Sequence, residues 1–298
     1  MLLVKFIIRD EIFIMVEFTN LSRLSEEEFK KFSKLIYDES GIFMKDAKIT
    51  LLSNRLRKRL KILNLNNFSE YYNYIQTLSN KSMEIQELID VVSTNETYFF
   101  RNERHFQALL EYCLPEISNR KKDIKRLRIW SSASSTGEEP YTIAITVLEK
   151  RNLFPGWKIE IIATDIAPSV LEFAKKGEYS GRRIEKIPPN ILSKYFIQKK
   201  VDDCPDIYIV KNELKKIVQF SVLNLFKNSF PNDLDVIFCR NVMIYFDKDH
   251  QKELVSGFRK VISDDGYLFI GHSETIYSIS DEFIYKKILE APVYVIKR

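Results

Sequence analysis

The stretch from Leu127 to Tyr141 reads LRIWSSASSTGEEPY, and no other segment restricts the possible folds of this chain as tightly. The apolar run Leu127 to Trp130 suits a strand buried on both faces, the pattern of a parallel sheet. Only small residues follow, Ser131 to Thr136, and then Gly137. Glu138 and Glu139 open a helix, with Pro140 in its first turn and the apolar run Ile143 to Leu148 continuing it. A strand, a turn without bulk and a helix start let a ligand approach the backbone at the carboxyl end of a strand. A phosphate group is the wrong ligand for this turn. GxGxxG and GK[ST] are both absent, and two carboxylates stand where a phosphate needs donors. A neutral or cationic nucleoside fits better.

At 298 residues the chain has room for one large domain or two ordinary ones. A hydrophobic share of 45% and a charged share of 29% are those of a soluble globular protein. The net charge of +5 is compatible with acidic partners but does not identify nucleic acid. Cys113, Cys204 and Cys239 are sparse, odd in number and without metal-ligand spacing, so a reducing, cytoplasmic setting is expected. No segment is apolar enough to span a bilayer. The leading MLLVKFIIRDEIFIM is interrupted by Arg9, Asp10 and Glu11 and lacks a small-residue cleavage site, which argues against a signal peptide. Met15 is an alternative start, so residues 1–14 are set aside.

From about Thr19 to Val92 the pattern is helical throughout. Ser25 and Glu28 form a capping box, followed by the stripe Phe29, Phe32, Leu35 and Ile36. A second helix is expected from Ile49 to Leu63, with Leu52, Leu56, Leu60 and Leu63 on one face and Arg55, Arg57, Lys58, Arg59 and Lys61 spread over the other. Lys45 to Lys61 holds seven basic residues against the single acid Asp46. Such a run is either a solvated helix face or a docking surface for an acidic partner. Two further helices follow, near Phe68 to Leu78 and Met83 to Val92. Tyr71, Tyr72 and Tyr74 read as packing residues.

Ser93 to Arg101, STNETYFFR, leaves the helical region. It is either a linker whose Phe99 and Phe100 plug the core, or a segment that brings Asn95, Thr97 and Arg101 to a cleft between domains. Beyond it strands and helices alternate, as in an open α/β sheet. A helix from His105 to Ile117 leads to the first strand. A second strand, Trp157 to Ala163, ends at Thr164 and Asp165. An acid there either accepts ribose hydroxyls, as in open α/β folds, or caps the helix that Gly177 ends. Glu178 to Lys216 breaks the alternation and reads as an inserted antiparallel unit containing the short strand DIYIVK. Ile217 to Val222 and Leu234 to Cys239 are further core strands. Arg240, Asn241 and Tyr245 follow the latter directly, at a carboxyl end again. Asp247 caps a helix running to Ile262, Tyr267 to Ile270 is a strand, and Phe283 to Lys287 and Pro292 to Lys297 close the sheet as an antiparallel pair.

Metal catalysis has little support. His105, His250 and His272 are scattered, and His250 is expected to face solvent. No GxSxG elbow is present, and Cys239 lies within an apolar strand. What remains is a nucleoside-sized ligand held at strand ends by Glu138, Asp165, Asn224 and Asn241, and the simplest reaction is group transfer from a nucleoside-based donor.

STNETYFFR, RIWSSASSTGEEPYTIA, ATDI, FSVLNL, DVIFCRNVMIYFD and GYLFIGHSE, taken together and in this order, resemble the motifs of the CheR family, the chemotaxis-receptor glutamate methyltransferases that use S-adenosylmethionine. The resemblance covers nearly all the chain from about Phe18. It implies an α/β fold: an N-terminal all-helical domain at 18–92, a linker at 93–104, and a Rossmann-like class I methyltransferase domain at 105–298 with a small antiparallel β-subdomain inserted at 178–216. It implies a cytoplasmic protein-glutamate O-methyltransferase that leaves S-adenosylhomocysteine as product. Asn95, Thr97, Arg101, Glu138, Asp165, Asn224, Leu225, Arg240 and Asn241 then match donor-binding positions. Glu138 matches an acid for the methionine amine, and Leu225 is as readily a packing residue. Arg101 and Tyr245 match the pair beside the reacting methyl. Arg55, Arg57, Lys58, Arg59 and Lys61 would read the acidic helical bundle of a chemoreceptor. Some members also tether to a receptor's C-terminal peptide through a glycine-rich turn in the β-subdomain. Lys194 to Lys216 contains no glycine, so no such tether is expected. Two rival readings are a nucleic-acid methyltransferase and a donor-binding module without turnover. The first would need a base-flipping tetrad that RNVMIY does not supply.

Overall fold

The computed structural model describes residues 23–201, 204–227 and 229–297. The expectations for residues 1–14 and for the start of the helical domain at 18–22 lie outside the described residues. The first four helices are α1 Glu26–Ser40, α2 Ile49–Leu63, α3 Phe68–Thr77 and α4 Lys81–Val92. The capping box at the head of α1 is formed. The Ser25 hydroxyl accepts the Glu28 N–H at 3.2 Å, and the Glu28 carboxylate accepts the Ser25 N–H at 2.9 Å. Phe29, Phe32 and Ile36 of α1 pack with Leu52, Leu56 and Leu60 of α2, Phe68, Tyr71 and Ile75 of α3, and Leu88, Ile89 and Val92 of α4. Each such side chain taken out of water contributes roughly 1.5–3 kcal/mol before conformational entropy is subtracted. Leu35 and Leu63 lie at the rim of this core.

The second part begins with α5 Glu103–Ala108, which runs through a π turn at Leu109–Cys113 into α6 Leu114–Arg120. Then come β1 Arg126–Ser131, α7 Glu138–Glu149, β2 Lys158–Asp165 and α8 Pro168–Lys176. The inserted unit comprises β3 Glu178–Tyr179, α9 Pro189–Tyr195, β4 Phe196–Lys199, β5 Ile207–Val210 and α10 Asn212–Lys215. Its three strands form a separate antiparallel sheet in the order β3-β5-β4. The chain closes with β6 Val218–Val222, β7 Leu234–Cys239, α11 Lys248–Val261, β8 Ile262–Ile270, β9 Phe283–Ile288 and β10 Ala291–Ile296.

The main sheet has the order β6-β2-β1-β7-β8-β10-β9. The pairings from β6 across to β8 are parallel, and β10 is antiparallel to both β8 and β9. Both faces are covered. Leu127, Ile129, Val236 and Phe238 pack on one side, while Trp130, Ile237 and Cys239 pack on the other, as the alternation of a strand dictates. The direction of travel through the sheet reverses between β1 and β7. That switch point opens a crevice at the carboxyl ends of the strands.

The helical unit sits over this crevice. Tyr37 donates to Asp247 at 2.5 Å, the Phe43 N–H donates to the Tyr245 carbonyl at 2.7 Å, and Gln86 donates to the Ile166 carbonyl at 2.7 Å. Gly41 ends α1 with φ of 72°, and a Cβ there would meet the Phe226 ring at 2.6 Å. His250 does not face solvent as expected. It is wedged edge-on between Tyr37 and Phe226, with centroids at 4.8 and 4.5 Å, because the helical unit covers that end of α11. Among the described residues no helix is long and apolar enough to cross a membrane.

Candidate functional site

Four segments meet at the switch point: the linker after α4, the turn after β1, the end of β2 and the turn after β7. Between them and the underside of the helical unit lies a cleft of about 1150 Å³, its open mouth included. Asn95, Thr97, Arg101, Asp165, Leu225, Arg240, Asn241 and Tyr245, assigned to the site from sequence, all line it. So does Arg55, from the helical side.

The turn after β1 is held by backbone bonds that leave its inner surface bare. Ser132 N–H donates to the Phe238 carbonyl at 2.9 Å, and Ser134 N–H to the Thr164 carbonyl at 2.8 Å. Gly137 has φ of 95°, and a Cβ on it would strike Ala174 at 2.7 Å and the Tyr179 hydroxyl at 2.8 Å, so only glycine fits. Asp165 accepts the Ser135 N–H at 2.8 Å and the Ala167 N–H at 3.0 Å. It thus ties the turn after β1 to the residue that precedes α8, and forms part of the cleft wall. Burial pushes its carboxyl up, against the pull of those two N–H groups.

The acid on the wall is Glu139, not Glu138. Glu139 accepts Ser131 Oγ at 2.7 Å and Arg240 Nη1 at 2.9 Å and lines the cleft. Glu138 turns away into the protein. It is fully buried, accepts Thr136 Oγ1 at 2.7 Å and is ion-paired with Arg183 of the inserted unit. Burial pushes its carboxyl up while Thr136 and Arg183 pull it down. Adjacent residues in a helix differ by about 100° in direction, so a one-residue error in phase points to the wrong side. Asn224 is also displaced from its expected role. Its Nδ2 donates to the Glu39 carbonyl at 2.7 Å and its Oδ1 accepts the Phe226 N–H at 2.9 Å, which ties the helical unit to the sheet.

Arg240 is buried behind the cleft wall. It bridges Glu139 and the Arg101 carbonyl, the latter at 2.5 Å, so the turn after β7 and the linker are held together by one guanidinium. Burial lowers its pKa and Glu139 opposes that shift. Arg101 is flanked by Phe100 with φ of 57° and Asn102 with φ of 60°. Left-handed backbone at residues other than glycine costs of order 1 kcal/mol each, and it stands here on both sides of one arginine. Asn241 is left-handed too, with φ of 58°, and its Oδ1 is buried with no hydrogen-bond partner. Arg240 Nε is likewise unpartnered. Orphaned polar atoms at a cleft are what a polar ligand would satisfy. Lys48 stands 5.5 Å from the centroid of the Tyr245 ring and lines the same end.

The basic run of α2 is not one surface. Arg59 is buried, bonded to Glu84 at 2.7 Å and to Glu87 at 2.8 Å, because α4 packs on that side of the helix. Arg55 donates to the Val92 carbonyl and, at 2.8 Å, to Thr94, and so braces the start of the linker. Lys58 and Lys61 are exposed and Arg57 is half-buried. Sequence reasoning missed Glu139, Lys48 and Arg183. Glu139 was legible as one of a pair and Lys48 as a member of the basic run from Lys45 to Lys61, whereas nothing in the chain signals Arg183.

Residues 27–93 match the CheR methyltransferase all-alpha domain and residues 95–291 match the CheR methyltransferase SAM-binding domain. The chain is 40% identical over 258 residues to a chemotaxis protein methyltransferase of Borreliella burgdorferi, covering 85% of this chain and 89% of that one. It is 37% identical over 273 residues to one of Salmonella typhimurium, covering 91% of each. It is 36% identical over 273 residues to one of Escherichia coli, covering 91% of this chain and 92% of that one.

Proposed function

Because the chain belongs to the CheR methyltransferase family, with an all-alpha and a SAM-binding domain, we propose that it moves the methyl of S-adenosylmethionine to glutamate side chains of chemoreceptor cytoplasmic helices, giving methyl esters. The observation that carries the reading is the convergence of Glu139, Arg240, Arg101, Asn241 and Tyr245 on one cleft wall, with an unpartnered Asn241 Oδ1 among them. That donor set fits S-adenosylmethionine. Glu139 suits an amine, Asp165 and Asn241 suit hydroxyl and base edges, and the small residues Ser132 to Ser135 leave room for the ligand.

When bound, the donor supplies a sulfonium-activated methyl carbon, whose bond to sulfur breaks as its bond to the acceptor oxygen forms. The acceptor carboxylate is ionised at neutral pH, its ordinary pKa being about 4.3, so no residue has to take a proton. The task of the chain is placement, which is worth roughly 7–11 kcal/mol when both reactants are held in line. Arg101 and Tyr245 orient the reactants. Lys48 and Arg55 at the same end favour an anionic side chain over a neutral one, and the exposed Lys58 and Lys61 with Arg57 read the acidic surface around it. The proposed setting is cytoplasmic, where those receptor helices lie.

Methyl-labelled donor mixed with receptor cytoplasmic fragments tests this. The expected product is base-labile label on the fragments, absent when the acceptor glutamates are replaced by alanine. Label on RNA instead would favour the nucleic-acid reading, and donor binding without transfer to any acceptor would leave a silent module.

A further inference from the structure

The GHSE sequence that follows β8 takes no part in the cleft wall, yet its glutamate accepts three backbone N–H groups beside it. Glu274 Oε2 accepts the Asn241 N–H at 2.8 Å and the Gly271 N–H at 2.5 Å, while Oε1 accepts the Ile244 N–H at 3.3 Å. These donors belong to two neighbouring strand ends, since Cys239 of β7 pairs with Ile270 of β8. The carboxylate therefore staples the turn after β7 to the turn after β8. Gly271 leaves the space for it. A Cβ there would run into Oε2 and meet the Asn241 N–H nitrogen at 2.9 Å.

We infer that Glu274 is a positioning residue for methyl transfer, setting the left-handed turn that carries Asn241 and delivers Tyr245 to the cleft. The inference rests on the proposed methyl transfer at this site. Of the three donors, Asn241 lies two residues before the short turn Met243–Tyr245 and Ile244 lies within it. Asn241 lines the cleft with its backbone left-handed, a conformation that an asparagine adopts at a cost and that a fixed N–H partner sustains. A carboxylate can accept at all three donors together. A glutamine in its place has only one acceptor oxygen and turns an NH₂ toward a backbone N–H, which leaves at least one donor unmet. Burial raises the carboxyl pKa of Glu274, and the N–H groups oppose that rise.

The test is a double-mutant cycle with Tyr245. Glu274→Gln should lower kcat roughly ten- to a hundredfold, the cost of misplacing a reacting group by about an ångström. In a Tyr245→Phe background the same substitution should cost less than about threefold, because residues that act as one unit are not additive. Wild-type kcat in Glu274→Gln, or equal losses in both backgrounds, would overturn the inference. If Glu274→Gln does not fold, Gly271→Ala is carried through the same cycle with the same expectation, since its methyl displaces the carboxylate without removing the charge. A wild-type enzyme that methylates no receptor fragment would instead strike at the proposed function.

Discussion

Replacing each of the two adjacent glutamates by glutamine should tell which of them meets the donor. Glu139 holds Arg240 at 2.9 Å and faces the cleft, and Glu139→Gln removes the charge proposed to meet the donor's amine. A hydrogen bond to a charged group is worth about 1.5–3 kcal/mol. At about 1.4 kcal/mol per tenfold, affinity for S-adenosylmethionine or S-adenosylhomocysteine should fall roughly ten- to a hundredfold. Glu138→Gln acts elsewhere. Its carboxylate is fully buried against Arg183 and Thr136, so the cost should appear in unfolding. Arg183 is 36% exposed and recovers water when its partner is neutralised, which sets the cost below that range, at about 1 kcal/mol. Calorimetric titration with S-adenosylhomocysteine and thermal melts of both variants measure the two quantities. A tenfold loss of donor affinity in Glu138→Gln with none in Glu139→Gln would refute the assignment and restore the sequence-based one.

Tyr245→Phe should lower turnover while sparing donor binding, measured by the same titration beside a methyl-transfer assay; lost donor affinity would reject an orienting role. Reversing Arg57, Lys58 and Lys61 to glutamate should raise KM for receptor fragments without changing donor affinity, and unaltered receptor kinetics would remove the docking surface. Arg59→Met, by contrast, leaves Glu84 buried without its cation and should destabilise the helical unit by about 3–5 kcal/mol, read by chemical unfolding. His105 is buried and its pKa is lowered to about 3, first by burial and then by Arg240 and His272. The unfolded chain takes up that proton at about 6.5 and the folded one does not, so stability falls from there toward pH 3, by about 1.4 kcal/mol per unit. His105→Leu should flatten that acid limb in unfolding at a series of pH values. A receptor C-terminal peptide should show no micromolar binding in calorimetry, and such binding would contradict the reading of the glycine-free stretch Lys194 to Lys216.

What the chain alone determined is its local order. The strand at Leu127, the turn of small residues with one obligatory glycine, the capping box at Ser25 and Glu28, and the apolar stripes of α1 and α2 follow from residue type and spacing. These are short-range effects and do not depend on what lies opposite. The arrival of the linker, the strand ends and Tyr245 at one cleft was also legible, because open α/β sheets bring carboxyl ends together at their switch point. The tertiary structure decided which member of a local pattern faces the cleft. Glu138 and Glu139 are one helical step apart, and only the seating of α7 on the sheet, with Arg183 arriving from the insert, sends one inward and the other to the wall. Arg59 and Lys58 are likewise neighbours, and α4 buries the first while leaving the second in water. Asn224 and His250 were diverted because the helical unit packs over them. In each case the partner comes from tens of residues or more away along the chain, a separation that periodicity does not register.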